Sequence, residues 1–170
     1  MELSKFLKPS LGAAALISAA IAVGPKAVNP ATVTTTFNVS TDVQTACGVA
    51  ALPLNFGAYS GTAASTATTD ITVKCNNLTA YNVGLDAGTS TGATVTSRKM
   101  TGPPGATGLP YFLYSDAAMT KNWGNTVGTD TVPGTGNGSA QALVVYGQIP
   151  AGEGNRAGAY SDTITVTVTY

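Results

Sequence analysis

The stretch Tyr160-Ser161-Asp162-Thr163-Ile164-Thr165-Val166-Thr167-Val168-Thr169-Tyr170 decides the fold class. From Asp162 onward its strict alternation predicts one β-strand running to the final residue. Ile164, Val166, Val168 and Tyr170 share one face, and the threonines share the other. A half-apolar strand with no later strand to pair with implies an open edge or groove. Such an edge is an aggregation hazard unless a partner covers it. Near the other end, Thr32-Val33-Thr34-Thr35-Thr36-Phe37-Asn38-Val39 alternates in the same way. One loose strand and one unfilled place suggest subunits that complete one another by strand addition.

Residues 1–31 read as a secretory signal and its cleavage region. Lys5 and Lys8 make a short positive start, and residues 11–23 are an Ala-rich apolar run too short to span a bilayer. Ala20-Ile21-Ala22 offers a cut after Ala22; a cut after Ala31 would suit the first strand. Residues 32–170 are then a single domain, large enough for a real core.

Only 9% of the chain is charged, and a cut after Ala22 leaves 6 positive and 7 negative groups. That balance provides neither a basic patch for nucleic acid nor an acidic field. Histidine is absent, which removes Ser-His and Cys-His nucleophile systems. The carboxylates Asp42, Asp70, Asp86, Asp116, Asp130, Glu153 and Asp162 stand singly. No catalytic residue, metal site, cofactor or small-molecule substrate is assigned. Two cysteines, Cys47 and Cys75, in an exported chain argue for a disulfide. A bridge closing a loop of about 28 residues is worth roughly 3–4 kcal/mol in the chain-entropy model.

No convincing helical period exists past the leader. Strand signals fall at residues 32–46, 69–75, 81–85, 109–114, 140–149 and 158–170, with short elements at 52–56 and around Trp123. Pro53 marks 52–56 as an edge or bend. Residues 89–108 and 124–139 read as long loops, with Arg98 and Lys99 as surface charges. Seven or eight strands with Gly-rich crossovers indicate an immunoglobulin-like, Greek-key β-sandwich.

An ordered set of short pieces now stands out: Phe37-Asn38-Val39-Ser40, Cys47, Leu54-Asn55-Phe56-Gly57, Cys75, Tyr81-Asn82-Val83-Gly84-Leu85-Asp86-Ala87-Gly88 and Arg98-Lys99-Met100. Leu109-Pro110-Tyr111-Phe112-Leu113-Tyr114, Trp123-Gly124, Val145-Tyr146-Gly147-Gln148-Ile149-Pro150 and Gly158-Ala159-Tyr160-Ser161-Asp162 complete it. In this order, over residues 32–170, the chain resembles the spore coat protein U domain family. Members of that family include pilin subunits of the archaic chaperone–usher pathway. The resemblance implies an incomplete immunoglobulin-like sandwich lacking its final strand. A periplasmic chaperone would supply that strand first. At an outer-membrane usher, the N-terminal strand of a neighbouring copy or related pilin would replace it. It also implies a disulfide at Cys47 and Cys75, export through the periplasm, and a place in a surface or extracellular fibre serving adhesion or biofilm formation. A single domain with a donor-like N-terminus points to a shaft or adaptor subunit.

The candidate donor strand is 32–40, with Val33, Thr35, Phe37 and Val39 as its inserting face. The acceptor groove is expected at Val145, Ile164, Val166 and Val168. Two other roles remain open. One is a secreted glycan-binding sandwich using a platform of Tyr111, Tyr114 and Trp123; the other is a protective spore or cyst coat protein.

Overall fold

In the computed structural model, residue 24 and residues 29–170 are described. Most of the leader reading, residues 1–23 and 25–28, therefore lies outside the described residues. Among those described, no helix is long and apolar enough to cross a membrane, and all the regular structure is β.

Eight strands form two sheets: β1 (Cys47–Ala51), β2 (Ser65–Cys75), β3 (Ala80–Leu85), β4 (Arg98–Met100), β5 (Leu109–Tyr114), β6 (Val132–Thr135), β7 (Gln141–Ile149) and β8 (Val166–Thr169). The larger sheet has the order β1-β2-β7-β5-β4, and the smaller has β6-β3-β8. Every pairing is antiparallel. The alternation of the sequence fixes which way each strand faces. Ile71, Val73 and Cys75 of β2, Tyr81, Val83 and Leu85 of β3, Leu109, Tyr111 and Leu113 of β5, and Val145 and Ile149 of β7 are all buried in one core.

Two stretches expected as loops contain strands. Residues 89–108 hold β4 and 124–139 hold β6. Both strands are short and carry little apolar signal, and their neighbours in the sheets define them. Arg98 corrects the sequence reading most sharply. It is fully buried, and its guanidinium donates to four backbone carbonyls: Asp86 (2.8 Å), Val95 (2.7 Å), Leu85 (2.9 Å) and Trp123 (2.7 Å). A charge can stay in the interior only with such dense hydrogen bonding. Arg98 thus knots the end of β3 to the turn before β4 and to the segment around Trp123.

The final strand is also shorter than its alternation predicts, covering only Val166–Thr169. Ser161 exchanges two backbone hydrogen bonds with Thr101, beside β4 in the larger sheet, whereas β8 pairs with β3 in the smaller. Residues 162–165 are the crossing from one sheet to the other. The Asp162 carboxylate secures that crossing. Its Oδ1 accepts from the Thr89 amide and hydroxyl and from the Thr163 amide, each at 2.8 Å. A β-carbon on Gly88, at φ +84°, would stand 2.0 Å from Asp162 Oδ2, so glycine is required there.

The sandwich unit is Asp42–Tyr170. Residues 29–46 form no regular strand, contrary to the strand expected at 32–46. An alternating sequence becomes a strand only when a neighbour completes its hydrogen-bond ladder.

Candidate functional site

β1 lies at the edge of the larger sheet and β8 at the edge of the smaller. Neither has a second strand neighbour among the described residues. Beyond Ala51 the chain follows β2 one step further. The Leu52 amide donates to the Asp70 carbonyl (3.1 Å), and the Thr69 hydroxyl donates to the Leu52 carbonyl (2.9 Å). Pro53, which has no amide hydrogen, then ends the ladder. Leu54 and Phe56 turn inward over Gly147, where a β-carbon would meet them at 2.6 and 2.8 Å. Only a glycine in β7 allows that approach.

Between this rim, residues 51–56, and the opposite rim, residues 160–166, lies an open cleft. One part, about 560 Å³, reaches the inner faces of both sheets at Ile71, Leu85, Leu113 and Val145. A second part, about 620 Å³, continues towards Tyr59, Glu153 and Arg156. The two share Leu54, Asn55, Phe56, Met100 and Tyr160. The rims run antiparallel to each other, because β1 opposes β2, the short turn after β2 reverses the chain into β3, and β8 opposes β3. A strand laid into the cleft would be parallel to one rim and antiparallel to the other. Val49 lies on the same edge strand, β1. It stands opposite buried Val73, facing inward, yet is 45% exposed.

The cleft is apolar in its floor and polar at one wall. There the Tyr111 hydroxyl donates to Asp162 Oδ2 at 2.7 Å. Burial, then this hydrogen bond and the Asp162 charge, hold the phenol far above its ordinary value of 10.0. It is therefore a neutral donor at any physiological pH. Nearby, Asp86 receives the Thr165 and Gly88 amides at 2.9 and 3.0 Å. Burial pushes its pKa upward, but the contacts from Thr165 and Gly88 and the charge of Arg98 outweigh burial and keep it below 3.8. These groups fix the rim. Among the described residues, no three metal-ligating side chains cluster.

A cleft of this kind, between two strand edges of a sandwich, can be set beside known proteins. A model of the Spore Coat Protein U domain matches residues 33–167. The chain belongs to the spore coat protein U domain family. It is 33% identical over 172 residues to Protein U of Myxococcus xanthus, covering 92% of this chain and 96% of that one. It is also similar in structure to a chain in the CsuC–CsuE chaperone–tip adhesion subunit pre-assembly complex from archaic chaperone–usher Csu pili of Acinetobacter baumannii. That match has a TM-score of 0.55 and 25% identity. It covers 75% of this chain but only 40% of the solved one.

Within this spore coat U domain, the expected groove residues divide. Val145, Ile164 and Val166 all line the cleft. Val168 lies further along β8, packed on the core beyond the cleft lining. Sequence reasoning missed the other rim, Leu54 and Phe56, although Leu52, Leu54 and Phe56 alternate across Pro53. It also missed Met100 and Tyr160, which sit singly in loop-like sequence. Val33, Phe37 and Val39, on the expected donor face, are 93%, 84% and 84% exposed, and Thr35 is exposed with them. Cys47 and Cys75 are joined, as expected, and the bridge pins the edge strand β1 to β2.

The platform of Tyr111, Tyr114 and Trp123 does not exist. Trp123 is 1% exposed with its indole N–H donating to the Val83 carbonyl at 2.8 Å. Tyr111 is a core residue. Their rings are large enough to fill the sandwich and carry polar tips that find partners inside it. Tyr114 alone points outward.

Proposed function

We propose that this chain is a structural subunit of a secreted surface fibre, assembled by donor-strand complementation. A periplasmic chaperone would fill the cleft first. The N-terminal segment of a neighbouring copy or related subunit would then replace it at an outer-membrane usher, and the fibre would serve adhesion or biofilm formation. The observation that carries this reading is the cleft between residues 51–56 and 160–166, flanked by two unpaired strand edges. The exposed, alternating Val33, Phe37 and Val39 supply side chains of the kind such a cleft takes. Burying each large apolar side chain is worth about 1.5–3 kcal/mol, and each backbone hydrogen bond adds about 0.5–1.5 kcal/mol net. A strand of this size can therefore hold subunits together without covalent bonds. The likeness to a subunit solved with its chaperone supports the same reading, and a non-catalytic role fits it.

A second reading is a protective coat built from the same interlocking subunits. The family's description and the near full-length likeness to Protein U favour it. Negative-stain images of the assembled material separate the two, as thin fibres or as a lateral layer.

The mechanism is tested by moving residues 32–40 to follow Tyr170 through a short Gly-rich linker. The cleft is then filled in cis. The expected product is a monomer by size-exclusion chromatography, melting well above the parent. A relocated chain that melts with the parent or still polymerises overturns strand donation through this segment.

A further inference from the structure

The cleft uses the inner faces of the sheets. The outer face of the larger sheet carries a second feature that neither packing nor strand donation absorbs. On β5, Leu109, Tyr111 and Leu113 point into the core, which turns Phe112 and Tyr114 outward. On β7, buried Val145, Gly147 and Ile149 turn Tyr146 and Gln148 outward. The register aligns these residues in two rows across three strands: Thr66, Gln148 and Phe112 in one, Thr68, Tyr146 and Tyr114 in the other. Phe112 and Tyr114 have ring centroids 6.2 Å apart and planes inclined by only 31°, and Tyr146 stands directly across from Tyr114. The three rings are half-buried and form a shallow strip at the middle of the sheet. At its end Asn122, bridged to Tyr114, has an amide nitrogen with no hydrogen-bond partner among the described residues.

We propose that this strip binds a neutral oligosaccharide. The chemistry of the two rows selects that ligand. Neither row contains a charged side chain; the outward charges beside them, Asp70 on β2 and Lys99 on β4, are single, of opposite sign and on opposite sides of the strip, so they give it no net charge of one sign for an ionic ligand. The rings offer flat apolar faces to the C–H face of a pyranose. The Thr66 and Thr68 hydroxyls and the Gln148 amide, beside the rings, both donate and accept, as a ring of sugar hydroxyls requires. Three rings are too small a patch for a stable protein interface, which buries about 800 Å² per partner. The rings are also too interleaved with polar groups for a lipid surface. The proposal stands apart from strand donation, since the strip and the cleft lie on opposite faces of the sheet.

The test titrates the full mature chain, disulfide intact, with cellohexaose and with N-acetylchitohexaose. Binding is followed by saturation-transfer NMR and calorimetry. At least one sugar should bind at millimolar concentration. Tyr146→Leu keeps an apolar cover on the sheet but removes a ring, and should weaken that binding about tenfold without changing the melting temperature. The double variant Tyr114→Ser, Tyr146→Ser should abolish it; if that protein does not fold, the Leu variant decides alone. No binding of either sugar at millimolar concentration overturns the proposal, as does equal binding by Tyr146→Leu. A Leu variant that alters self-association and not sugar binding overturns it too, in favour of a contact between copies.

Discussion

The Tyr111 phenol, on the inner face of β5, donates a 2.7 Å hydrogen bond to Oδ2 of Asp162, at the point where the chain crosses between the sheets. Both residues line the cleft. The other oxygen of the same carboxylate holds Thr89 and Thr163. One side chain therefore ties a cleft rim to the floor of the larger sheet and to the turn after β3.

Replacing Asp162 by Ala should destabilise the domain by more than Tyr111→Phe does. The Ala variant leaves the buried Tyr111 hydroxyl without an acceptor, at a cost of about 1–3 kcal/mol, and frees the Thr89 turn as well. Tyr111→Phe leaves Asp162 with its amide and hydroxyl donors and should cost about 1 kcal/mol. Urea unfolding of both variants measures the difference as a shift in midpoint at unchanged slope. Equal midpoints would remove Asp162 as the anchor of the rim.

Acid should loosen the same region. Asp86 titrates below its ordinary 3.8 because Thr165, Gly88 and Arg98 outweigh the upward push of burial. A carboxylate depressed in the folded state stabilises it at pH values above the unfolded pKa. That contribution fades as pH falls through the folded value. Urea midpoints should thus be level above about pH 5 and fall below about pH 4. Asp86→Asn should be less stable at neutral pH and show a shallower acid decline. A parallel decline in both proteins would assign the acid sensitivity elsewhere.

Arg98 should tolerate no replacement. Arg98→Met leaves the buried Leu85 and Trp123 carbonyls unpaired, each worth about 1–3 kcal/mol. Arg98→Lys should recover little, since a single ammonium cannot span four carbonyls that a planar fork reaches at once. Thermal melts of the two variants in the cis-complemented background check this. A Lys variant within about 1 kcal/mol of the parent would mean that charge alone, without the fork geometry, is sufficient.

What the sequence made legible depended on how far each element's neighbours lay along the chain. Alternation in residues 81–85, 109–114 and 140–149 located three inner strands closely, because both a buried face and a paired edge stood behind it. The same alternation overran in residues 160–170. Asp162 and Ser161 there bond to Thr89 and Thr101, partners 73 and 60 positions away that no local pattern announces. Arg98 read as a surface charge for a related reason: its partners are carbonyls, and carbonyls leave no trace in side-chain identity. The cleft was half visible. Ile164 and Val166 carried it on one rim, but Leu54 and Phe56 lay beyond Pro53, and Gly147, the gap that admits them, looked like any strand glycine.

Phe37 gives the sharpest test of how the N-terminal segment is used. It is the largest side chain on the expected donor face and is 84% exposed. Phe37→Glu should leave the isolated domain unchanged, because no core contact is lost, and the disulfide and melting behaviour should match those of the parent. The effect should appear only on assembly. A carboxylate carried into a cleft floored by Ile71, Leu85, Leu113 and Val145 would lose its water without gaining a partner, a penalty of several kcal/mol. Fibre formation should therefore fail while chaperone-bound subunit accumulates. Thr35→Glu, at a smaller side chain on the same face, should interfere less. The two variants are compared by sedimentation of assembled material and by size-exclusion of what remains soluble. Fibres of normal length from Phe37→Glu would mean that this face of the segment never enters the cleft.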